Sequence, residues 1–255
     1  MIFEVSLQLL LLLALAAFLA GMVDAIAGGG GLITVPALLL AGADPVAALA
    51  TNKLQGTFGA ATAAVAYGRA GHVQLGEQAG MAAIAALGGA AGALVAHLVP
   101  ADILRLIMPV VLIGIALFFA LKPGLTDADR TQRMTPAVFA FAAVPLIAAY
   151  DGFFGPGTGS FYMLAFVMLA GFGVLKATAH TKLLNFASNL GSLVVFVAAG
   201  AVWWKVGLVM AVAQIAGAAL GARLAMRVGA RLIRPLLVIT SGAMALRLIW
   251  QVWAG

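Results

Sequence analysis

The chain has 255 residues, of which 64% are hydrophobic and only 9% are charged, and it contains no cysteine. A soluble domain is close to half apolar and a quarter charged, so this composition excludes a disordered chain, a disulfide-stapled secreted domain and a soluble enzyme with a solvated surface. The sequence predicts an all-α, polytopic membrane protein whose net charge of +6 reflects the positive-inside bias of cytoplasmic loops rather than nucleic-acid binding.

Apolar segments of helical length make up the first half of the chain. A helix needs about 20 apolar residues to span a hydrocarbon core of about 30 Å. The second of these segments is shorter than such a span. The predicted segments are residues 5–22, 31–42, 46–67, 73–98 and 101–121.

A run of glycines interrupts the chain between the first two segments, in the stretch DAIAGGGG that begins at Asp24. Four successive glycines disfavour a helix, and their N–H groups are free to point at a bound anion. The next segment begins at the same place with its positive dipole end, which also favours an anion. A plain turn between packed helices is the alternative. The anion-binding interpretation rests on Gly28, Gly29, Gly30 and Gly31.

Polar residues return in the third segment, in the stretch TNKLQ. Lys53 lies about two turns into this apolar segment, where a buried ammonium group needs a partner. Three interpretations are open: a structural ion pair with Asp24 or Asp151, snorkelling to an interface, or contact with a substrate anion. Asn52 and Gln55 would supply neutral donors around such an anion.

One long polar run, KPGLTDADRTQRMT at residues 122–135, divides the chain. Its composition is typical of a loop, and we interpret it as a linker within one transport unit. We therefore predict a single transmembrane domain over residues 1–255, with repeat 1 at 1–121 and repeat 2 at 136–255.

The second half shows the same series of segments, again with a short second member. Lys53 falls on Lys182 when the chain is shifted by 129 residues, and Asp24 falls on Asp151 with a shift of 127. Chance matching in a chain rich in alanine and glycine does not explain charged pairs in register, so we predict two homologous halves. The segments are residues 136–149, 159–171, 174–199, 203–227 and 230–253.

The polar residues of the second half lie in the break DGFFGPGTGS and in the stretch HTKLLN. Buried carboxylic acids and histidine can titrate near neutral pH, so Asp24, Asp151 and His180 are candidates for carrying coupled protons. For His180, packing at a helix end is the alternative. The candidate anion-binding residues here are Gly155, Gly157, Thr158, Thr181, Lys182 and Asn185.

The distribution of cations bears on topology. If all five segments of each half cross the bilayer, most lysines and arginines fall on one side, which favours outside termini and halves inverted relative to each other. Segments 31–42 and 159–171 are too short for a full span, so re-entrant short segments with four crossings in each of two parallel halves remain the alternative. The prediction is 8–10 helical segments, two of them short and broken.

The motifs around these residues resemble a known family. DAIAGGGGLITVPALLLAG and TNKLQGTFGAATA are similar to the first-half signature of the TauE/SafE sulfite and organosulfonate exporters, and GPGTG with ATAHTKLLNFASNLGSL is similar to the second. Pro156 and Thr158 interrupt the second set of glycines, and Thr181 stands where the first half has Asn52. The resemblance implies a multi-pass transporter of small anions in the bacterial inner membrane. It carries over Asp24, Gly28 to Gly31, Asn52, Lys53, Gln55, Gly155, Gly157, Thr181, Lys182 and Asn185.

We therefore expect a secondary transporter that moves a small anion, such as sulfite or an organosulfonate, by alternating access around one site between the halves. An anion channel is the main alternative, followed by a membrane scaffold or an intramembrane enzyme. The last is disfavoured because the sequence shows no acid–base–nucleophile set, and its histidines and acids lack metal-ligand spacing. The expected partners are the small anion and the lipid bilayer, with no cofactor, metal or nucleic acid. The anion, the direction of transport, the coupling ion and homo-oligomer formation stay open.

Overall fold

The computed structural model describes residues 5–104, 110, 128–129 and 131–229. These residues form helices joined by short loops and contain no strand, which confirms the prediction of an all-α protein. The predicted segment 230–253 and most of 101–121 lie outside the described residues. The helices are α1 Leu7–Ala27, α2 Gly31–Leu40, α3 Pro45–Arg69, α4 Ala79–Leu98, α5 Pro136–Phe153, α6 Thr158–Met168, α7 Val174–Ala198 and α8 Trp204–Val228.

Helix length and polarity indicate how the chain meets the bilayer. Helices α1, α4, α5, α7 and α8 are long and apolar enough to cross a membrane, and Leu12 and Leu87 are 63% and 73% exposed on their outer faces. Such exposed apolar surface is typical of a lipid-facing protein. Helices α2 and α6 have only 10 and 11 residues, so they fall short of a hydrocarbon core of about 30 Å. The protein is therefore a multi-pass membrane protein with two short helices, as predicted.

Side chains at the helix starts explain where three of the long helices begin. The Ser6 hydroxyl accepts a backbone hydrogen bond at the start of α1, and the Asp44 carboxylate does the same for α3. Thr135 caps α5 in this way. A proline follows both Asp44 and Thr135, which the first helical turn tolerates because no N–H partner is needed there.

Three predicted boundaries are wrong. Helices α1 and α5 continue to Ala27 and Phe153, past the predicted ends at residues 22 and 149, and α4 begins at Ala79 instead of residue 73. Segments 5–22 and 136–149 stop short of Asp24 and Asp151, and an unpaired charge is costly in an apolar helix. In the structure both carboxylates are paired, so the helices run on past them. Gly31 is the first residue of α2, so the break is shorter than four glycines.

Part of the predicted linker is tied to the start of α7. Asp129 accepts a hydrogen bond of 2.7 Å from the N–H of Gly173 and lies 3.5 Å from the Lys176 ammonium group. The Gly173 N–H, and after it the Lys176 charge, hold the pKa of the Asp129 carboxyl below its usual value. The linker thus contacts the second half at the end of the bundle where α7 begins.

Each short helix folds back along the helix before it. The N–H groups of Arg133 and Met134 donate to the Leu169 carbonyl at 2.9 and 3.0 Å, so α6 ends where α5 begins. In the first half, Leu38 of α2 packs in one apolar cluster with Leu13 of α1. Helices α1 and α2 therefore form a first hairpin, and α5 and α6 a second. The glycine-containing tip of each hairpin is buried within the protein.

The first hairpin packs along α8 through glycines. Gly217 lies against the carbonyl of Phe18, and Gly221 lies against the carbonyl of Met22. A side chain at either glycine would overlap the facing backbone, so small residues are what allow this approach. Because residue numbers rise together on both helices, α1 and α8 run parallel.

The second hairpin packs along α4 in the same manner. Gly88 lies against Pro145, and Gly92 lies against the carbonyl of Ala149. Residue numbers again rise together, so α4 and α5 run parallel. Each hairpin is therefore held by a helix that belongs to the other half.

Replacing Gly92 with alanine is expected to lower the free energy of unfolding by about 1–3 kcal/mol, because the added methyl group would overlap the backbone carbonyl of Ala149. Gly80→Ala in the same helix is the matched control, since nothing lies within 4 Å of its added methyl group. That control should be neutral or slightly stabilising, because alanine favours a helix over glycine. Thermal unfolding in detergent measures both, and equal melting temperatures would contradict close packing of α4 on α5.

Candidate functional site

The tips of the two hairpins meet each other. The Ser160 hydroxyl donates to the Ala27 carbonyl at 2.9 Å, and Gly28 lies so close to the backbone of Gly159 that a side chain would overlap it. Gly28 and Gly157 have φ angles of 80° and 85°, a backbone conformation that glycine adopts readily. The glycines are therefore needed both for the turns and for the contact between the tips.

Lys53 of α3 reaches the second hairpin and pairs with Asp151. The Lys53 Nζ lies 2.7 Å from Asp151 Oδ1, and the two side chains are 1% and 2% exposed. Ser188 of α7 donates to the other carboxylate oxygen at 2.5 Å. Both oxygens of this buried carboxylate thus have close donors, as a buried ion pair requires.

Lys182 of α7 pairs with Asp24 of the first hairpin, but more loosely. Its Nζ lies 3.7 Å from Asp24 Oδ2 and also contacts the Asp24 backbone carbonyl. The Gly30 N–H donates to the other carboxylate oxygen at 3.2 Å. Each lysine therefore pairs with the aspartate of the other half. Both are fully buried, which makes the snorkelling interpretation wrong.

Four backbone N–H groups at the hairpin tips have no acceptor among the described residues. They lie at or just before the first turns of α2 and α6, where helical N–H groups lack an intrahelical partner and the helix dipole is positive. Their neighbours Gly28 and Gly30 instead donate to Asp24. The free donors belong to Gly29, Gly31, Gly157 and Gly159.

A small cavity lies between the tips, and all four free donors belong to its lining. Its volume is about 20 Å³, which is room for about one water molecule. An oxyanion is larger than water, so binding one here would require the hairpin tips to move apart. The remaining lining residues are Asp24, Asn52, Gly56, Asp151, Gly155, Thr158, Asn185, Asn189 and Gln214.

Seven of the thirteen residues proposed from sequence for the anion line this cavity, as do two of the three candidates for carrying protons, whereas Lys53 and Lys182 are not on its lining. Gln55 lies behind it and donates to the Asn52 side chain at 3.3 Å. The Thr181 hydroxyl donates to the Ala177 carbonyl of its own helix at 2.8 Å, so it is occupied within α7. The proposed residues on the lining are Asp24, Gly29, Gly31, Asn52, Asp151, Gly155, Gly157, Thr158 and Asn185.

His180 lies outside the cavity. Its ring contacts Phe166 and Phe172, and its Nδ1 shares a short hydrogen bond with the Gln78 amide of α4. These contacts are those of a packed residue at the start of α7. Within the described ranges, no three histidine, aspartate or glutamate side chains lie together as a metal site would need.

Gln214, Gly56 and Gly159 line the cavity but were not among the residues proposed from sequence. The signal for Gln214 was a single polar residue inside an apolar segment, which is costly unless it has a role. Gly56 and Gly159 carry no such signal, because glycine is common throughout this chain.

The family model described as Sulfite exporter TauE/SafE matches residues 13–248 of the chain. The chain belongs to the TauE/SafE family. A probable membrane transporter protein, ORF9 of Sinorhizobium sp, is 55% identical over 99% of both chains. The probable membrane transporter protein YfcA of Escherichia coli K12 is 48% identical over 98% of this chain and 93% of its own length.

A probable membrane transporter protein of Haemophilus influenzae is 43% identical over 97% of both chains. No solved structure matches the chain with significance. The resemblance read from the glycine and TNK motifs is thus confirmed, and the chain is a membrane transporter of the TauE/SafE family. The buried cavity between the two hairpin tips is therefore a candidate substrate site.

Proposed function

We propose that the protein is a secondary transporter of the bacterial inner membrane that carries a small oxyanion, sulfite or an organosulfonate, by alternating access. The observation that carries this proposal is the set of four free backbone donors, at Gly29, Gly31, Gly157 and Gly159, around one buried cavity. Converging N–H groups at helix starts are a common way to bind an anion without a fixed charge.

The electrostatics of the tips also favour an anion. At the first tip Lys182 contacts the carbonyl end of α1, and at the second Lys53 Nζ lies near Gly155, just past the end of α5. The lysines therefore compensate the negative dipole ends, while the positive ends of α2 and α6 stay open to the cavity. Lys53, Lys182, Asp24 and Asp151 together carry no net charge. The N–H groups, rather than an excess of lysine, supply the selectivity for an anion.

The packing directions support inverted halves. Helix α3 runs parallel to α8, since Thr51 accepts a hydrogen bond from the N–H of Trp203 and Gly59 lies against Gln214. Helices α7 and α8 both have the length of a span and are joined by residues 199–203, so they cross the bilayer in opposite directions. Helices α3 and α7, which the predicted repeat makes equivalent, then run antiparallel. The two hairpins enter from opposite sides, as alternating access by inverted repeats requires.

The cations give this arrangement an orientation. In the described part of the chain, five of them lie where α3 and α8 end and where α5 and α7 begin, which is one end of the bundle. Lys205 lies at the other end, at the start of α8. By the positive-inside rule the first end faces the cytoplasm. The cytoplasmic group is Arg69, Arg133, Lys176, Arg223 and Arg227.

Flux measurements test the proposed function. In vesicles containing the purified protein, we expect saturable uptake of radiolabelled sulfite that unlabelled methanesulfonate inhibits. Lys182→Met should lower this uptake at least about tenfold, because it removes the counter-ion of Asp24, which lines the cavity. Lys176→Met, a partly exposed cation outside the site, is the control. If Lys182→Met unfolds, uptake is measured in the double variant Lys182→Met with Asp24→Asn, which leaves neither charge of the pair unpaired. No uptake of either anion by the wild type would refute the proposal, and unitary currents would favour a channel.

A further inference from the structure

Gln214 of α8 reaches the cavity through a passage between two glycines. Gly21 of α1 and Gly59 of α3 flank its side chain so closely that a methyl group on them would lie 2.8 and 2.7 Å from Gln214 Cγ. The residue is only 4% exposed, and it lines the cavity together with Asp24. Two glycines in two different helices are therefore needed to place this amide where it is.

The amide has unused hydrogen-bonding capacity. Gln214 Oε1 is buried and has no hydrogen-bond partner among the described residues. Leaving a buried polar group unpaired is costly, so such groups in native proteins need an explanation. An amide on the cavity lining that has an unpaired atom is able to form a hydrogen bond with a ligand in the cavity. The amide can present its donor end to an anion by rotating about its last bond.

The predicted repeat shows that the residue equivalent to Gln214 in the first half is not polar. The shift of 129 residues places Ala85 over Gln214 and Ser188 over Gly59. On the Asp151 side, the Ser188 hydroxyl already holds the carboxylate at 2.5 Å. The equivalent position in the first half is Gly59, which has no hydroxyl and lies against the side chain of Gln214. The two sides of the cavity therefore differ, and the Asp24 side keeps a free polar group.

We propose that Gln214 is a substrate-contacting residue whose amide binds an oxygen of the transported oxyanion on the Asp24 side of the cavity. This inference rests on the proposed function. The anion would take the free N–H groups of the hairpin tips as donors and the Gln214 amide as a side-chain donor. Lys182 lies on the same side, where its ammonium group contacts the Asp24 carbonyl and lies 3.7 Å from the Asp24 carboxylate.

Gln214→Leu tests the contact. In the vesicle assay we expect KM for sulfite to rise about tenfold or more, since a hydrogen bond to a charged group is lost. The melting temperature should stay the same or rise, because an unpaired buried amide is replaced by an apolar side chain. Gln78→Leu is the matched control: Gln78 is equally buried and also has an unpaired Oε1, but it contacts His180 outside the cavity. That control should leave KM unchanged.

Gly59→Ala provides an independent test, because the three atoms nearest to the added methyl group all belong to the Gln214 side chain, at 2.7, 2.8 and 3.1 Å. It should raise KM for sulfite by itself by pushing the amide aside. In the Gln214→Leu background, Gly59→Ala should raise KM no further. This non-additivity would assign the effect of Gly59→Ala to the amide.

The outcomes separate the two proposals. Absence of saturable sulfite flux in the wild type counts against the proposed function. Normal wild-type flux with an unchanged KM in Gln214→Leu overturns the inference alone. A lower melting temperature with unchanged KM would make Gln214 a structural residue and would also overturn it.

Discussion

Lys53→Met is expected to lower the free energy of unfolding by about 3–5 kcal/mol, one of the largest losses that a single substitution can cause in this chain. The variant would leave the Asp151 carboxylate buried with only the Ser188 hydroxyl as a close side-chain donor. Burial of an unpaired charge costs far more than the net worth of the ion pair. Thermal or denaturant unfolding of the purified protein in detergent measures the effect.

Lys53→Met combined with Asp151→Asn should recover most of this stability, because neither charge is then left alone. Lys176→Met is the matched single-charge control. Its ammonium group is 46% exposed and its pair with Asp129 lies at the surface, so the change should stay within about 0.5 kcal/mol. Equal stability of Lys53→Met and Lys176→Met would show that Asp151 does not depend on a buried partner.

The charged residues of the site could be predicted from sequence, but their partners could not. Charges are so few in this chain that Lys53, Lys182, Asp24 and Asp151 stand out within apolar segments. Their pairing joins residues 98 and 158 positions apart and is decided by how the two halves pack. No local sequence pattern predicts which of two residues so far apart in the chain will pair. The predicted ends of α1 and α5 are wrong for the same reason, because an aspartate that is paired with a distant lysine does not end a helix.

The path of the short helices could not be predicted from their length alone. A helix of 10 or 11 residues is compatible with a broken span or with a re-entrant hairpin. The hydrogen bonds from Arg133 and Met134 to Leu169 show that α6 folds back along α5, because they bring the end of α6 to the start of α5. The position of Gln214 at the cavity could not be predicted from sequence for a related reason: it depends on Gly21 and Gly59, which come from two other helices.

The two ion pairs are unequal, and this suggests which one moves. Asp151 is held at 2.7 Å by Lys53 and at 2.5 Å by Ser188, whereas Asp24 lies 3.7 Å from Lys182. Separating the looser pair makes room in a cavity that now fits about one water molecule. It also frees a cation for the anion. We therefore expect Asp24 and Lys182 to open on substrate binding while Lys53 and Asp151 hold the second hairpin in place.

Asp24→Asn is expected to tighten the binding of methanesulfonate at neutral pH by about tenfold, because the carboxylate no longer competes with the anion for Lys182. Methanesulfonate is the probe because it is singly charged. Without the anion the variant should be less stable, since Lys182 is then buried without its counter-ion.

Binding is measured by thermal stabilisation, which grows with the logarithm of the ratio of ligand concentration to Kd. Asp44→Asn is the matched control, because Asp44 caps α3 outside the cavity and asparagine caps equally well. An affinity in Asp24→Asn no higher than that of Asp44→Asn would show that the Asp24 carboxylate does not compete with the anion for Lys182.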